Sequence, residues 1–376
     1  MTQTCTRCIL DTTVGDIWFD GKGVCKYCHI HDEQEKSHPV GKSMDDFLAK
    51  KIQEISLAGK GKKYDCIAGV SGGRDSTYTL LKARELGLRP LAVHFDNGWN
   101  TNTSVKNIRK ACEKLDVELY TVVADWQEFR SLQRAFLKAG TPDADIPTDY
   151  AIYSVLYHTA HREGIRYILN GHSFRTEGTS PISWTYMDPL YVKDVLKKFG
   201  KGTTMNSFPH MSLLDLQYYI WVKGIREFRI LEYMDYNKQK VDKELSEKLD
   251  WEYYGGHHHE NHYTKFFQSY YLPTRFGIDK RKTELSALIR SGQISREKAM
   301  AEIQEHAYTC DQETIQYALN KLGFSSQEWQ EIMHQKIRSH IDFLTLLPLI
   351  RLLRFPIRMA VKAKVLPQIL YLKYAR

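Results

Sequence analysis

The sequence predicts an α/β fold: a parallel sheet with helices on both faces, preceded by a zinc ribbon and followed by a helical C-terminal region. Three observations predict it. Apolar, strand-length runs alternate with helical stretches between residues 64 and 172. Two CxxC pairs fall within the first 28 residues. Beyond residue 280, helical stretches follow one another with turn residues between them. The expected units are a ribbon at 1–40, a linker helix at 41–63, a sheet domain at 64–250, a helical region with a substrate-contacting segment at 251–340, and a basic apolar tail at 341–376.

In the ribbon, Cys5-Thr6-Arg7-Cys8 and Cys25-Lys26-Tyr27-Cys28 can each turn two thiolates toward one cation. Sixteen residues separate the pairs, room for a hairpin from Asp16 to Val24 with Gly21 and Gly23 in its turn. Four sulfurs close a tetrahedral site, so Zn2+ held by Cys5, Cys8, Cys25 and Cys28 is structural and activates no water. An iron–sulfur cluster or two disulfides are the alternatives. His29 and His31 are expected to be solvated polar residues, because the cysteines already fill the site. The linker helix runs from Met44 to Leu57 and stops at Gly59-Lys60-Gly61.

The sheet domain has expected strands at 64–70, 90–95, 117–123 and 166–170, and helices at 75–86, 102–115, 126–138 and 149–163. Repeated βα units demand a parallel sheet, and ligands in such sheets sit beyond the carboxyl ends of the strands. Three segments lie at such ends: Ser71–Ser76, Asp96–Trp99 and Gly171–Glu177. The first is the tightest signal. Ser71, Gly72 and Gly73 cannot continue the strand comfortably, and glycine lets the backbone turn sharply close to a ligand. The loop feeds a helix at Asp75-Ser76, so backbone N–H groups and a positive helix end converge on a place for phosphate. It is not GxxxxGK[ST], because the lysine is missing, and not GxGxxG. SGGRDS resembles the pyrophosphate-binding loop of the ATP pyrophosphatase (PP-loop) superfamily, whose fold is adenine nucleotide alpha-hydrolase-like. Those enzymes adenylate a carbonyl or amide oxygen and release pyrophosphate.

Farther on, the signals thin out. Aromatics crowd 173–250 and read as core; Tyr218–Val222 and Phe228–Glu232 read as strands or short helices. His257, His258, His259, Glu260 and His262 follow the Gly255-Gly256 turn. The order is not HExxH, so a polar substrate pocket is expected rather than a second metal site. Arg275 and Asp279–Lys282 read either as partners for phosphate or carboxylate, or as a solvated basic face. Helices are expected at 285–290 and 296–306, the second capped by Ser295, and two more within 311–335.

The formal charge is +8, and the stretch 336–376 holds nine basic residues against one acid, Asp342. The remainder is formally neutral, so no nucleic-acid surface is indicated. The CxxC usage fits a reducing compartment, no secretory h-region is visible, and a cytoplasmic location is expected. The tail's Leu, Ile and Phe with interspersed Arg and Lys suit contact with anionic lipid at the inner membrane face; packing on this protein or a partner is the alternative.

Taken together, the segments GVSGGRDST at 69–77, HFDNGWN at 94–100, NGH at 170–172, YGGHHHE at 254–260, FGIDKRK at 276–282 and SGQISR at 291–296, with the CxxC pairs, carry a narrower resemblance. The chain resembles the N-acetyl sugar amidotransferases of bacterial O-antigen and of pseudaminic- and legionaminic-type acetamidino sugar biosynthesis, to about residue 335. The resemblance implies that ATP adenylates the oxygen of a sugar N-acetyl group, that ammonia displaces AMP to leave an amidine, and that Mg2+ and Zn2+ accompany the ATP. It implies that Gly69, Ser71, Gly72, Gly73, Asp75, Ser76 and Gly171 surround the pyrophosphate, that Asp96 and Asn97 place the nucleoside, and that Arg74, Asp75, Ser76 and His172 serve the chemistry. Arg175, Glu177, His258, Arg275 and Lys280 are the candidates for the nucleotide-linked sugar. No cysteine sits where a glutaminase nucleophile should, so the ammonia is expected from a separate HisH-like glutaminase with its HisF-like cyclase homologue. A zinc-ribbon tRNA-thiolating PP-loop enzyme is the rival reading; the neutral core and the lone Cys112 speak against it.

Overall fold

The computed structural model of the protein describes residues 3–38, 41–256, 258–306, 308–363, 366 and 368–375. Five parallel strands form the sheet: β1 (Cys66–Gly69), β2 (Pro90–Asp96), β3 (Leu119–Val123), β4 (Tyr167–Leu169) and β5 (Arg226–Phe228), in the order β3-β2-β1-β4-β5. Successive side chains point to opposite faces. Ile67, Leu91, Val93, Phe95 and Ile168 join the apolar cluster on one face; Cys66, Ala68, Ala92, Tyr167 and Leu169 join the cluster on the other. Burial on both faces requires unbroken apolar strands, which is why CIAG and PLAVHF are readable in the sequence. β5 is a different case. Two of its three residues are charged, and it is held by its ladder to β4; the strand lies at 226–228, and Ile230–Tyr233 is a short tight helical turn rather than part of a strand.

The first six helices are α1 (Lys26–Ser37), α2 (Lys42–Ala58), α3 (Arg74–Glu85), α4 (Asn102–Leu115), α5 (Trp126–Ala139) and α6 (Ile146–Arg162). Thr101 and Asp125 cap α4 and α5 by accepting from the N–H groups of Ser104 and Glu128, and left-handed Asp116 and Gly140 end them. On α2, Met44, Leu48, Ile52 and Ile55 form a buried stripe, and the last three join the cluster beneath Cys66 and Ala68. The C-terminal region is helical, with Arg281–Arg290, Arg296–Glu305, Gln312–Leu322 and Ser326–His334, and Ser295 does cap the second by accepting from the Lys298 N–H. In the tail, helices Leu347–Leu352 and Arg354–Lys362 follow one another directly. Among the described residues no helix is long and apolar enough to cross a membrane.

The four N-terminal cysteines are fully buried around one point. Their sulfurs stand 3.8 Å (Cys5–Cys28), 3.6 Å (Cys8–Cys25) and 3.7 Å (Cys25–Cys28) apart. Tetrahedral sulfurs about 2.3 Å from one zinc ion are separated by about 3.8 Å, whereas a disulfide needs about 2.05 Å. The cluster fits zinc and is not a pair of disulfides. N–H groups of Arg7, Cys8 and Cys25 point at the Cys5 sulfur, as thiolate ligation favours. The ribbon is clasped from far along the chain: Arg296 donates to the carbonyls of Cys5 and Cys8, both at 3.1 Å, and Lys282 pairs with Asp11 at 2.7 Å. His29 meets Asp20 near the surface, as a solvated residue does. His31 departs from that expectation. It is 3% exposed, with its ring edge on Phe174, because it lies on the inward face of α1.

Metal analysis should find one zinc per chain. Cys25→Ser should lose it and lower the melting midpoint by at least about 5 °C, since a structural metal contributes directly to folding. An unchanged midpoint with no zinc in the native protein contradicts the assignment.

Candidate active site

The chain leaves β1 toward β2 and β3 on one side, then returns to place β4 and β5 on the other. The loops after β1 and β4 therefore diverge, and the crevice between them is where an open parallel sheet accepts a ligand. SGGRDS occupies the β1 side of that crevice and Asn170-Gly171-His172 the β4 side. Gly72 takes φ +77°, and a Cβ there would run into the Ser104 carbonyl, so only glycine allows this turn. Its own carbonyl is turned back into the protein, accepting from Trp251 Nε1 at 3.0 Å and Asn107 Nδ2 at 3.2 Å. Across the crevice a Cβ on Gly171 would meet the Asp75 backbone at 2.9 Å, so this glycine lets the β4 loop lie on the first turn of α3. Ser76 Oγ accepts from the Ser71 N–H at 3.1 Å, and Ser71 Oγ accepts from the Gly73 N–H at 3.2 Å. The two hydroxyls thus hold the loop in shape.

A second wall comes from residues 254–262. Asn100 and Asn261 form an antiparallel bridge, the Thr101 N–H donates to the Glu260 carbonyl at 3.0 Å, and the His262 N–H donates to the Trp99 carbonyl at 2.9 Å. The YGGHHHE segment is thereby hooked to the end of β2 and overhangs the glycine loop. Glu260 accepts from Ser71 Oγ at 3.3 Å, and His258 Nδ1 lies 3.7 Å from Glu260. Burial works against a charge on His258, but Glu260 and then Glu177 outweigh it and hold the ring up at about 9. His257 lies outside the described residues.

On the β4 side, Asp75 accepts from the Tyr236 hydroxyl and stands beside Glu177. Burial, and then the Asp75 charge, push the Glu177 carboxyl well above the usual range. His172 Nε2 is 3.7 Å from Glu177, while Nδ1 is buried without a hydrogen-bond partner. Burial, then the charges of Arg229 and Lys373, hold His172 neutral. Lys280 is lowered by burial despite Asp145 and Asp149 nearby. Asp149 is raised to about 6 by burial and by Asp145, although it still meets solvent.

Several sequence expectations change here. Arg74 is bound to Asp242, with Nη2–Oδ2 at 2.9 Å, and lies against Tyr253; it ties α3 to helix Lys238–Leu249 instead of facing phosphate. Asn97 is 3% exposed and accepts from the Trp99 N–H and from Asn261 Nδ2, so it builds the turn rather than reaching a nucleoside. Asp96 accepts from the Gly98 N–H and Asn100 Nδ2 within the same turn. Arg175 is buried against Glu35 and the carbonyls of His38 and Glu232, joining α1 to the β4 loop. Arg275 donates to the carbonyls of Met333 and Gln335 and secures the C-terminal helices. Arg74 and Arg175 are engaged by the carboxylates of Asp242 and Glu35, and Arg275 by backbone carbonyls, so all three serve the packing of the fold. Conversely, Asp145, Asp149 and Tyr236 lie beside the groups of this site and were not singled out, while Glu260 was expected only as part of the polar cluster after Gly255-Gly256. The one sequence signal was the DxxxD spacing of Asp145 and Asp149, which places both carboxylates on one side of the start of α6.

With this geometry in place, the likenesses to known proteins can be set against it. Residues 260–353 match the "LPS biosynthesis protein WbpG-like, C-terminal domain". The match spans about a quarter of the chain. An uncharacterized protein of Methanocaldococcus jannaschii is 26% identical over 172 residues, covering 45% of this chain and 58% of its own length, so the chain spans little more than half of that relative. The NMN synthetase of Francisella tularensis is 13% identical over 55% of this chain and 96% of its own, with a TM-score of 0.30. The NH3-dependent NAD synthetase of Campylobacter jejuni is 14% identical over 55% of this chain and 93% of its own, with a TM-score of 0.27. Superpositions this loose carry no argument; the parallel sheet with the SGGRDS loop at its switch point stands on its own geometry. The matched segment begins at Glu260, the residue that touches Ser71.

Glu177 supplies a test independent of any ligand. A carboxyl raised in the folded state binds a proton that the unfolded chain has lost, so its contribution to stability falls as pH climbs above the unfolded value of about 4.3 toward the folded one. Glu177→Gln should therefore melt at least about 2 °C above the native protein at pH 8 and level with it near pH 4.5. A variant less stable at both pH values contradicts the Asp75–Glu177 pairing.

Proposed function

We propose that the chain is an AMP-forming, ATP-dependent amidotransferase that converts an N-acetyl group on a sugar, free or nucleotide-linked, to an acetamidino group. One observation carries the reading. The SGGRDS loop of the sheet and the segment similar to an LPS-biosynthesis family, through Ser71 and Glu260, meet at 3.3 Å. ATP chemistry and a surface-glycan substrate then share a site.

An amide oxygen is a poor leaving group. In this reading the N-acetyl oxygen attacks the α-phosphorus of ATP and pyrophosphate leaves into the SGGRDS loop, with the first turn of α3 facing its charge. Ammonia adds to the imidate carbon, a proton is lost, and the carbon–oxygen bond to AMP breaks, leaving the amidine. Asp75 and Glu177, neighbouring carboxyls, would hold a divalent cation between them, and Mg2+ there would supply charge neutralisation for the phosphates. Asp149, poised at about 6, accepts the proton lost by ammonia. Neutral His172 offers its unpartnered ring nitrogen for orienting the nitrogen nucleophile. Cationic His258 and Lys280 face the phosphates or an acidic group of the sugar.

The ammonia comes from a separate glutaminase. Of the thiols outside the ribbon, Cys66 and Cys112 are pushed up by burial, the latter to about 11, and burial also raises Cys310. None has the lowered pKa of a nucleophile. The same fact disfavours tRNA thiolation, which needs a reactive cysteine beside the ATP site. Four cysteines spaced and clustered as metal ligands fit a reducing, cytoplasmic setting.

Purified protein given ATP, Mg2+, ammonium and a panel of nucleotide-linked diacetamido sugars should form AMP and pyrophosphate only when an accepted sugar is present. Asp75→Ala should lower that rate at least about 100-fold with the fold intact. Turnover dependent on tRNA and a sulfur donor, or full activity in Asp75→Ala, overturns the proposal.

A further inference from the structure

The tail is the one strongly charged element that the crevice does not absorb. Both its ends are anchored. Leu347 is 2% exposed at the start of the first tail helix, and Leu372 is 4% exposed near the last residues, where Tyr374 lies against Tyr186. Between these anchors, Leu352, Phe355 and Met359 are 79%, 70% and 51% exposed. Their spacing of three and four residues puts them on one stripe of the consecutive helices Leu347–Leu352 and Arg354–Lys362. Arg351, Arg354, Arg358 and Lys362 recur at the same spacing one position earlier, so a basic flank runs beside the apolar stripe. No acidic residue follows Asp342. Most of this face also lies beyond the WbpG-like match, which ends at residue 353.

A soluble protein that buries Leu347 and Leu372 but holds Leu352 and Phe355 in water presents them for something. An acid-free basic flank beside exposed leucine and phenylalanine matches a surface that is negative and apolar at once. We infer that residues 349–362 dock the protein on an anionic lipid surface. Leu352, Phe355 and Met359 enter the acyl boundary, and Arg351, Arg354, Arg358 and Lys362 reach the headgroups. A protein groove would need its own acidic lining, and a second copy of this tail would set like charges against each other.

The test uses the full chain and vesicles, without substrate. Vesicles of phosphatidylethanolamine and phosphatidylglycerol should sediment at least about tenfold more protein than vesicles of phosphatidylcholine, and about 0.5 M salt should weaken the binding. The exposed-site variant Leu352→Glu/Phe355→Glu, and separately Arg351→Gln/Arg354→Gln/Arg358→Gln, should each lose about tenfold at unchanged circular dichroism. Equal binding to both lipids, binding to neither, or native binding by the Leu352→Glu/Phe355→Glu variant overturns the inference. So does a concentration-dependent dimer that Phe355→Glu dissolves, since the face then covers a second copy.

Discussion

The antiparallel bridge between Asn100 and Asn261 is the contact on which the site depends. It joins the end of a central strand to a segment more than 150 residues later, and two backbone hydrogen bonds on either side of it fix the register. Because the tie is made through backbone, Glu260 and His258 are delivered over the glycine loop at a set height. Without it the loop would be an open phosphate cradle. With it the cradle becomes one wall of a crevice whose opposite wall carries Asp75, Glu177 and His172.

The crevice is electrostatically expensive. Burial and the Asp75 charge push Glu177 up, burial and Asp145 raise Asp149, and Lys280 is pushed down by burial. Such unmet charge is tolerated where the surroundings over-determine the geometry. Here the surroundings include the ribbon. Arg296 grips its cysteine carbonyls, Arg175 ties α1 to the β4 loop, and Arg74 ties α3 to helix Lys238–Leu249. The four-cysteine cluster thus acts at a distance, by stiffening the β4 side of the crevice.

The central sheet was legible because burial on both faces forces long apolar runs at β1, β2 and β4, and because no residue but glycine fits the turn at Gly72. Cys5, Cys8, Cys25 and Cys28 were legible because ligand spacing is local. The arginines misled for the opposite reason. Whether Arg175 or Arg275 faces solvent, substrate or a carbonyl depends on partners 140 and 58 residues away, which no local pattern encodes. β5 and Asp145 were missed likewise: three residues held by a neighbouring ladder, and a carboxylate whose importance comes only from Lys280 and Thr264 beside it. His31 went unread because one polar residue on an otherwise inward helix face gives no periodic signal.

The central claim is that the amide oxygen itself is activated in this crevice. It is tested most directly by turnover of a sugar whose N-acetyl carbonyl carries oxygen-18. The account predicts the label in the phosphate of AMP and none in pyrophosphate, because the substrate oxygen leaves with the adenylyl group. Label released into water, or found in pyrophosphate, contradicts it.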